Sequence, residues 1–442
     1  MDVINLYQYK SRKPKNFIII NFAFALFYCW FYDFIFSNYI AVLFGSEYAR
    51  PTSSELIELC IVGALPIVFY KGLSNIASVF SIFVYIFAYV PFNETLVVGG
   101  WGRPFLDYRI VFFVAMCAFF ISDNIKLYSK PFKSPTKMPF KKFERISWAL
   151  LILVVGLNVG NLHMTNFLQS KSEMYELREN LHVVGGAPVV YLLYWFKNTI
   201  LPILLVCYLR NKNVIKVGCA FVGCIVMFMI DQQKITFIAP FVIVALYYFY
   251  QMHKTLFSDA YHLLIMGALI LFPFLCFLFM YKSDAVYEIT AILIMRTQCI
   301  EGMELNTYLN FFGHDGLSHP YTYYSHIGII NAITGMYPYS TSLGHAVTNG
   351  GANANGMFWL MDGVAAAGLE GCIFISAIFI FVKGLFNGIS NRCNVALFSI
   401  ISLFTMSMTM NVSLFTALLS CGLILFYLIF VYVDFSEFDF MN

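Results

Sequence analysis

Charged residues are scarce in this 442-residue chain. Asp, Glu, Lys and Arg together make up 12% of it, roughly half of the ~25% that is usual for a soluble domain. Hydrophobic residues make up 60%, and apolar segments of roughly 20 residues recur along the chain, each long enough to cross a bilayer core of about 30 Å. The composition excludes a soluble domain and predicts an all-α polytopic membrane protein, folded as a single integral membrane domain over residues 1–442.

Motifs for bound groups are also missing. The eleven cysteines form no CxxC pair, and ten of them lie in or beside apolar segments, where cysteine behaves as a small hydrophobe. The histidines form no HExxH motif, and the loops predicted to be external contain no DxD motif. The glycine-rich run 350–356 is not followed by Lys-Ser/Thr, so it is not a nucleotide-binding P-loop. We therefore expect no disulfide framework, no metal site and no cofactor, and no sequence feature indicates nucleic-acid binding.

Hydropathy predicts about twelve transmembrane helices, with both termini on one side. Eighteen of the 27 Lys and Arg residues lie on that side, and the positive-inside rule makes it cytoplasmic. Two large external loops follow, 166–186 and 281–357. The predicted spans are 16–44, 54–70, 74–91, 109–123, 146–165, 187–208, 213–230, 235–250, 261–280, 358–382, 394–411 and 413–433.

The loop 281–357 concentrates the polar chemistry of the chain. Within it, residues 284–300 have the apolar spacing of a helix that lies on or dips into the outer membrane face. Arg296 interrupts that apolar stripe, where it either snorkels or binds an anion, and a guanidinium suits phosphate oxygens. The histidines lack metal-ligand spacing, so most are ordinary loop residues and one is a candidate proton acceptor. The loop contains four of the eight histidines: His314, His319, His326 and His345.

Four further residues outside that loop are candidates for a site. In the loop 166–186, Arg178 and His182 stand four residues apart on one face of a predicted short helix. An ordinary solvated surface helix explains this pattern as well as a binding site does. Lys234 follows a very short turn between two spans, where a snorkelling lysine is the plain alternative. Lys197 lies about nine residues inside a span, so we expect it to face a cavity or a partner.

The run from Asn353-Ala-Asn-Gly-Met-Phe-Trp-Leu-Met-Asp362 to Gly371 resembles the end of the large loop and the start of the next helix in O-antigen and oligosaccharide repeat-unit polymerases (Wzy). The turn Asp231-Gln-Gln-Lys234 and the segment Tyr-Glu-Leu-Arg178 are similar to positions in that family. The resemblance implies a GT-C-like fold in the bacterial inner (cytoplasmic) membrane. It also implies an enzyme that polymerises undecaprenyl-diphosphate-linked glycans on the outer leaflet, without a metal, beside a chain-length regulator.

With that resemblance, the candidate residues divide into two roles. A base would deprotonate the attacking sugar hydroxyl, and cations would hold the diphosphate as it leaves. The candidates for the base are His182, His319 and His326. The candidates for the diphosphate are Arg178, Lys197, Lys234 and Arg296.

Two other functions stay open. An O-antigen ligase, which passes the glycan to the lipid A core, needs the same lipid-diphosphate chemistry and a similar loop. A polysaccharide flippase or other transporter needs no chemistry, and Lys197 and Asp33 within predicted spans are compatible with it. A flippase is expected to keep its loops short, which the loop 281–357 does not do.

Overall fold

The computed structural model describes residues 16–45, 48–100, 104–127, 137–162, 183–279, 284–313, 319–350, 353–354, 359–390, 393–410 and 412–438. Within these ranges the chain is almost entirely helical. The only strands they contain, β1 (Met138–Pro139) and β2 (Val433–Asp434), pair in parallel. In chain order, the helices are α1 (Phe17–Phe44), α2 (Ser53–Ala64), α3 (Ile76–Val98), α4 (Leu106–Ile121), α5 (Phe140–Leu157), α6 (Gly186–Arg210), α7 (Val214–Asp231), α8 (Lys234–Met252), α9 (Lys254–Phe279), α10 (Asp284–Ile294), α11 (Ile300–Phe312), α12 (Gly328–Thr334), α13 (Leu343–Ala346), α14 (Leu360–Asn387), α15 (Val395–Met410), α16 (Leu414–Leu419) and α17 (Leu423–Tyr432).

Eight helical segments of the described residues are long and apolar enough to cross a membrane. They agree with an all-α, multi-pass membrane protein, as the sequence predicts. The remaining predicted spans correspond to shorter helices, such as α2 and α4. The eight segments are Phe17–Phe44, Ile76–Val98, Gly186–Arg210, Val214–Asp231, Ile235–Met252, Ala260–Phe279, Met361–Asn387 and Leu414–Tyr432.

Several helix boundaries differ from the sequence-based ones, and two of these differences have a clear structural reason. Helix α3 continues past residue 91 to Val98, and its final turns bury Asn93 and Glu94. In the sequence, these polar residues mark the end of the apolar run. In the structure, they are buried against other helices. Helix α5 begins at Phe140 rather than at 146, because the Phe140 ring packs on Phe438, 4.4 Å away between centroids, beside the β1–β2 pair.

Four π-helical turns interrupt the described helices, at Phe36–Ile40, Tyr85–Tyr89, Phe196–Ile200 and Met295–Cys299. Proline explains two of them. A proline ring clashes with the carbonyl four residues earlier, and those carbonyls, of residues 87 and 198, lie inside the turns that precede Pro91 and Pro202. The other two have no proline. Such turns are frequent at functional sites, and Lys197 and Arg296 both lie in one.

Helix α14 is folded back on itself. Ala367 and Gly368 have non-helical backbone angles. A Cβ on Gly371 would lie 2.1 Å from the carbonyl oxygen of Gly363, eight residues earlier. Eight residues of straight helix span about 12 Å, so the chain must reverse at this break. The first arm, up to Ala366, therefore packs side by side with the start of the long second arm.

Residues 284–312, inside the range predicted as a loop, form two consecutive helices packed into the bundle. Tyr287 donates to the carbonyl of Asn38 (2.8 Å) in α1, and Gln298 donates to that of Leu269 (3.1 Å) in α9. Farther along, a Cβ on Gly302 would lie 2.2 Å from Thr95 Oγ1 in α3. The segment of α10 and α11 thus packs against α1, α3 and α9, and its charged residues hide these contacts from a hydropathy profile.

Candidate functional site

A histidine and an aspartate meet where the predicted loop returns to the bundle. His326 Nε2 lies 3.1 Å from Asp362 Oδ1, with the two side chains 1% and 0% exposed. Asp362 belongs to the first arm of α14. His326 follows a tight turn in which Tyr323 and Tyr324 both have positive φ angles, 47° and 64°. Residues with side chains adopt such angles at a cost, so the surrounding contacts must hold this turn in place.

Thr322 supplies those contacts. Its backbone N–H and its hydroxyl both reach the carbonyl of Ala365 (2.8 and 2.9 Å), and its Oγ1 lies 2.8 Å from His326 Nδ1. The Thr322 hydroxyl has one proton, so it donates either to the Ala365 carbonyl or to Nδ1. When it donates to Nδ1 and Nε2–H donates to Asp362, the imidazole is neutral and the Ala365 carbonyl still accepts from the Thr322 backbone N–H. A histidine oriented by a carboxylate in this way has the arrangement of a general base.

Asp362 also fixes a third segment. Its Oδ2 accepts a hydrogen bond from the backbone N–H of Leu414 (2.6 Å), the first residue of α16. A carboxylate at a helix N-terminus is favoured by the helix dipole. The same side chain therefore joins the turn at His326, the folded-back arm of α14 and the start of α16.

His319, the other described histidine that we predicted as a base, has a different environment. Its ring stacks on Phe311 at 3.7 Å between centroids, and its Nδ1 lies 2.7 Å from the Phe311 carbonyl oxygen. The ring stacking and the hydrogen bond together fix the imidazole of His319 against α11. Within the described part of the chain, His326 lies next to an acid and His319 has no acid among its contacts.

Lys197, which was expected to face a cavity or a partner, has an acidic partner; this confirms the expectation. Its Nζ lies 2.7 Å from Asp231 Oδ2 and 2.7 Å from Gln233 Oε1, and 4.1 Å from the centre of the Tyr194 ring. The lysine side chain is 3% exposed. Thr236 also donates to Asp231 Oδ2 (2.9 Å), so the turn between α7 and α8 forms a buried polar cluster around one ion pair.

The Lys197 cluster and the His326–Asp362 pair border the same segment of chain. Lys197 lines a small recess together with Phe404 and Ser407 of α15. Only seven residues after Ser407, the backbone of Leu414 binds Asp362. The end of α15 thus lies near the buried Lys197, and the start of α16 is bound to the Asp362 of the histidine–carboxylate pair.

Arg296 is an exposed cation among those predicted site residues whose side chains the structure describes. It lies in the π-helical turn after α10, and its side chain is on an exposed face together with Ile289 and Leu293, which are 56% and 46% exposed. This position matches the interrupted apolar stripe seen in the sequence. Arg178 and His182 lie outside the described residues, and α8 begins at Lys234, whose side chain is also outside them.

Tyrosine hydroxyls in the described part of the loop 281–357 donate hydrogen bonds to backbone carbonyls. Tyr324 donates to the Gly371 carbonyl (3.1 Å), Tyr337 to Thr341 (2.8 Å) and Tyr339 to Pro320 (2.7 Å). Burial raises the pKa of Tyr337 to about 12, and burial together with the neighbouring Tyr337 raises the pKa of Tyr339 to about 12. Both hydroxyls therefore stay protonated, and remain donors, throughout the physiological pH range.

The described residues hold no group of three or more His, Cys, Asp or Glu side chains that could bind a metal ion. All eleven cysteines are free. Sequence reasoning placed Asp362 inside the quoted motif but did not select it as a site residue. The available signal was an acid at the start of a strongly apolar span, a position that is costly unless it has a partner.

Comparison with known proteins identified no relative: no protein-family model, no curated protein and no solved structure matches this chain.

Proposed function

We propose that this protein is a membrane glycosyltransferase that polymerises lipid-diphosphate-linked oligosaccharide repeat units. The observation that carries the proposal is the His326–Asp362 pair at 3.1 Å. Asp362 belongs to the run that resembles the repeat-unit polymerases, and its partner is one of the histidines selected from the sequence as a base. The multi-pass helical architecture supports a substrate that is anchored in the bilayer.

In the proposed reaction, a hydroxyl of the acceptor glycan attacks the anomeric carbon of the donor chain. A new C–O bond forms, the bond from that carbon to the diphosphate oxygen breaks, and the lipid diphosphate leaves. His326 takes the hydroxyl proton while Asp362 orients the imidazole. Because the imidazole is buried, the turn at Tyr323 and Tyr324 would have to open to admit the hydroxyl. Two adjacent positive φ angles make that turn a suitable place for such a movement.

Cations would stabilise the leaving diphosphate, and no step is assigned to a metal. Arg296 is exposed at the face where a lipid-linked anion would approach. Lys197 is already paired with Asp231, so it would contribute only if that pair is exchanged. Arg178 and Lys234 remain candidates. A bacterial inner-membrane location and a chain-length regulator as partner are part of the same proposal.

The test uses a strain that lacks the gene and expresses variants of the full chain. We expect His326→Gln and Asp362→Asn each to lower polymerisation about 10²- to 10⁴-fold, the usual contribution of a general base. Surface glycans on a gel should then carry a single repeat unit on the core, at normal protein levels. His253→Gln replaces an exposed histidine after α8 and serves as the matched control with unchanged chain length.

The same gel separates the alternatives. Loss of a ligase leaves the core without any repeat unit, and loss of a transporter blocks delivery of the glycan. Long chains in both His326→Gln and Asp362→Asn would exclude the pair from the reaction.

A further inference from the structure

A second buried acid lies away from this pair. Glu94, in the last turns of α3, is 0% exposed. By geometry, no nitrogen or oxygen donor among the described groups forms a hydrogen bond with either carboxylate oxygen, and the groups beside them are the neutral Cys29 thiol and Asn93 amide. Removing an ionised carboxylate from water without a partner costs several kcal/mol. A carboxyl group in this position is therefore stable only if it carries a proton or gains a cation.

The surrounding helices enclose the carboxyl group tightly. A Cβ on Gly63 of α2 would lie 3.0 Å from Glu94 Oε1 and 2.6 Å from Cys29 Sγ of α1. Glycine is therefore required where α2 crosses the carboxyl group, because any larger residue would meet the acid or the thiol. The close crossing allows little room for a bulky ligand.

Among the described residues, the cation beside Asn93 is bound to other groups. Arg109 of α4 donates from Nε and Nη2 to Asn93 Oδ1 (3.1 Å each), and its Nη1 lies 3.0 Å from Glu58 Oε1. Asn93 directly precedes Glu94. The side chain of Arg109 is 6% exposed, whereas that of Glu58 is 53% exposed. The guanidinium thus lies between an acid at the surface and an acid in the interior, and it is paired with the surface one.

The other described titratable groups that act on Glu94 or contact it do not provide a cation. On α1 the only carboxylate is Asp33, whose Oδ1 accepts a hydrogen bond from Tyr48 (2.7 Å). Helix α11 contributes a further buried acid, Glu301. The remaining groups are thiols and phenols, which are neutral at physiological pH. They are Tyr28, Cys29, Tyr32, Cys60, Tyr85, Tyr89 and Cys299.

We propose that Glu94 is a proton-binding site, and that Arg109 moves from Glu58 to Glu94 when the proton leaves. In the observed arrangement Glu94 carries the proton and Arg109 neutralises Glu58. After release, the Arg109–Glu94 pair is neutral and the charge of Glu58 is solvated at the surface. Net charge is conserved apart from the proton that leaves. The site couples the crossing of α2, α3 and α4 to pH, and it does not depend on the proposed glycosyl transfer.

Infrared spectroscopy tests the proposal, because the C=O stretch of a protonated carboxyl group is separate from the bands of a carboxylate and no reagent has to enter the enclosed site. The purified full-length protein in lipid nanodiscs is measured from pH 6 to pH 9, and each spectrum is compared with that of Glu94→Gln. We expect a protonated-carboxyl band at pH 6 that is lost in Glu94→Gln and that weakens as the pH rises to 9.

Glu58→Gln tests the role of Arg109. This variant removes the surface partner of the guanidinium, so Arg109 should pair with Glu94 and displace the proton. The Glu94 band at pH 6 should fall several-fold. Identical spectra of wild type and Glu94→Gln at pH 6 would overturn the proton site, and an unchanged Glu94 band in Glu58→Gln would overturn the exchange of Arg109. Chain length on the gel is read separately, so this result is independent of the polymerase assay.

Discussion

Lys197 and Arg296 occupy similar backbone positions with opposite environments. Both lie in π-helical turns, but Lys197 is buried against Asp231 whereas Arg296 is exposed beside Ile289 and Leu293. Removing one partner of a buried ion pair leaves an uncompensated charge and typically costs about 3–5 kcal/mol of stability. Losing an exposed arginine typically costs about 1 kcal/mol or less even where it has a partner, so its removal reports on ligand binding more directly.

Arg296→Ala should therefore reduce polymerisation with little effect on folding. Truncating one member of a desolvated charge pair costs about 2–5 kcal/mol, or roughly 30- to 5,000-fold in rate. Arg296→Lys should recover little of this, because an ammonium lacks the planar fork that meets two phosphate oxygens. The measurement is glycan chain length together with the melting temperature of the purified variant.

Arg145→Ala is the matched control, since Arg145 is an exposed arginine on α5, at the end of the bundle predicted to be cytoplasmic. It should leave both quantities unchanged. Long glycan chains in Arg296→Ala would remove this residue from the site and leave Arg178, Lys234 and Lys197 as the candidate cations.

At the scale of the element, the reversal of α14 decides where Asp362 lies. The two arms touch through glycine, because a Cβ on Gly371 would meet the Gly363 carbonyl oxygen at 2.1 Å. The reversal itself needs Gly368, whose φ is +62° and whose Cβ would lie 2.5 Å from the Tyr321 hydroxyl. Without the reversal, the first arm could not bring Asp362 to His326 and to Leu414.

Gly371→Ala should separate the arms. Forcing a methyl group into such a contact costs about 1–3 kcal/mol or more, so we expect a lower melting temperature and shorter glycans. Gly218→Ala is the control: Gly218 is also inside a helix, α7, but its Cβ would have no neighbour within 4 Å. There alanine should stabilise by up to about 1 kcal/mol. Equal melting temperatures for the two variants would contradict the close packing of the arms.

At the scale of the whole molecule, the distribution of basic residues predicts the orientation. Lys383 does not belong among the 18 basic residues that were assigned to the cytoplasmic side. It is buried in α14, where its Nζ lies 2.9 Å from Asp123 Oδ1 and 2.6 Å from Ser81 Oγ. Its charge binds α3, α4 and α14 together rather than facing the cytoplasm. The predicted orientation then rests on the loops, above all on the basic run 126–145.

Single cysteines in a cysteine-free background test this orientation. Thr341 and Lys141 are both exposed, and they lie on the sides predicted to be external and cytoplasmic. An impermeant thiol reagent added to intact cells should modify Thr341→Cys and not Lys141→Cys, while both should react after the membrane is permeabilised. The reverse pattern would place the loop 281–357 in the cytoplasm and contradict the proposed polymerase.

The sequence by itself determined where most helices lie, because apolar length is a local property that no distant contact can alter. It also determined that Lys197, deep in a span, needs a partner. Tertiary structure alone decided which groups meet. His326 and Asp362 are 36 residues apart, and Asp123 and Lys383 are 260 apart. Packing also buried Gln298 and Glu301 of the segment 284–312 and enclosed Glu94. A buried charge is tolerated only by what surrounds it in space, and spacing along the chain carries no record of those neighbours.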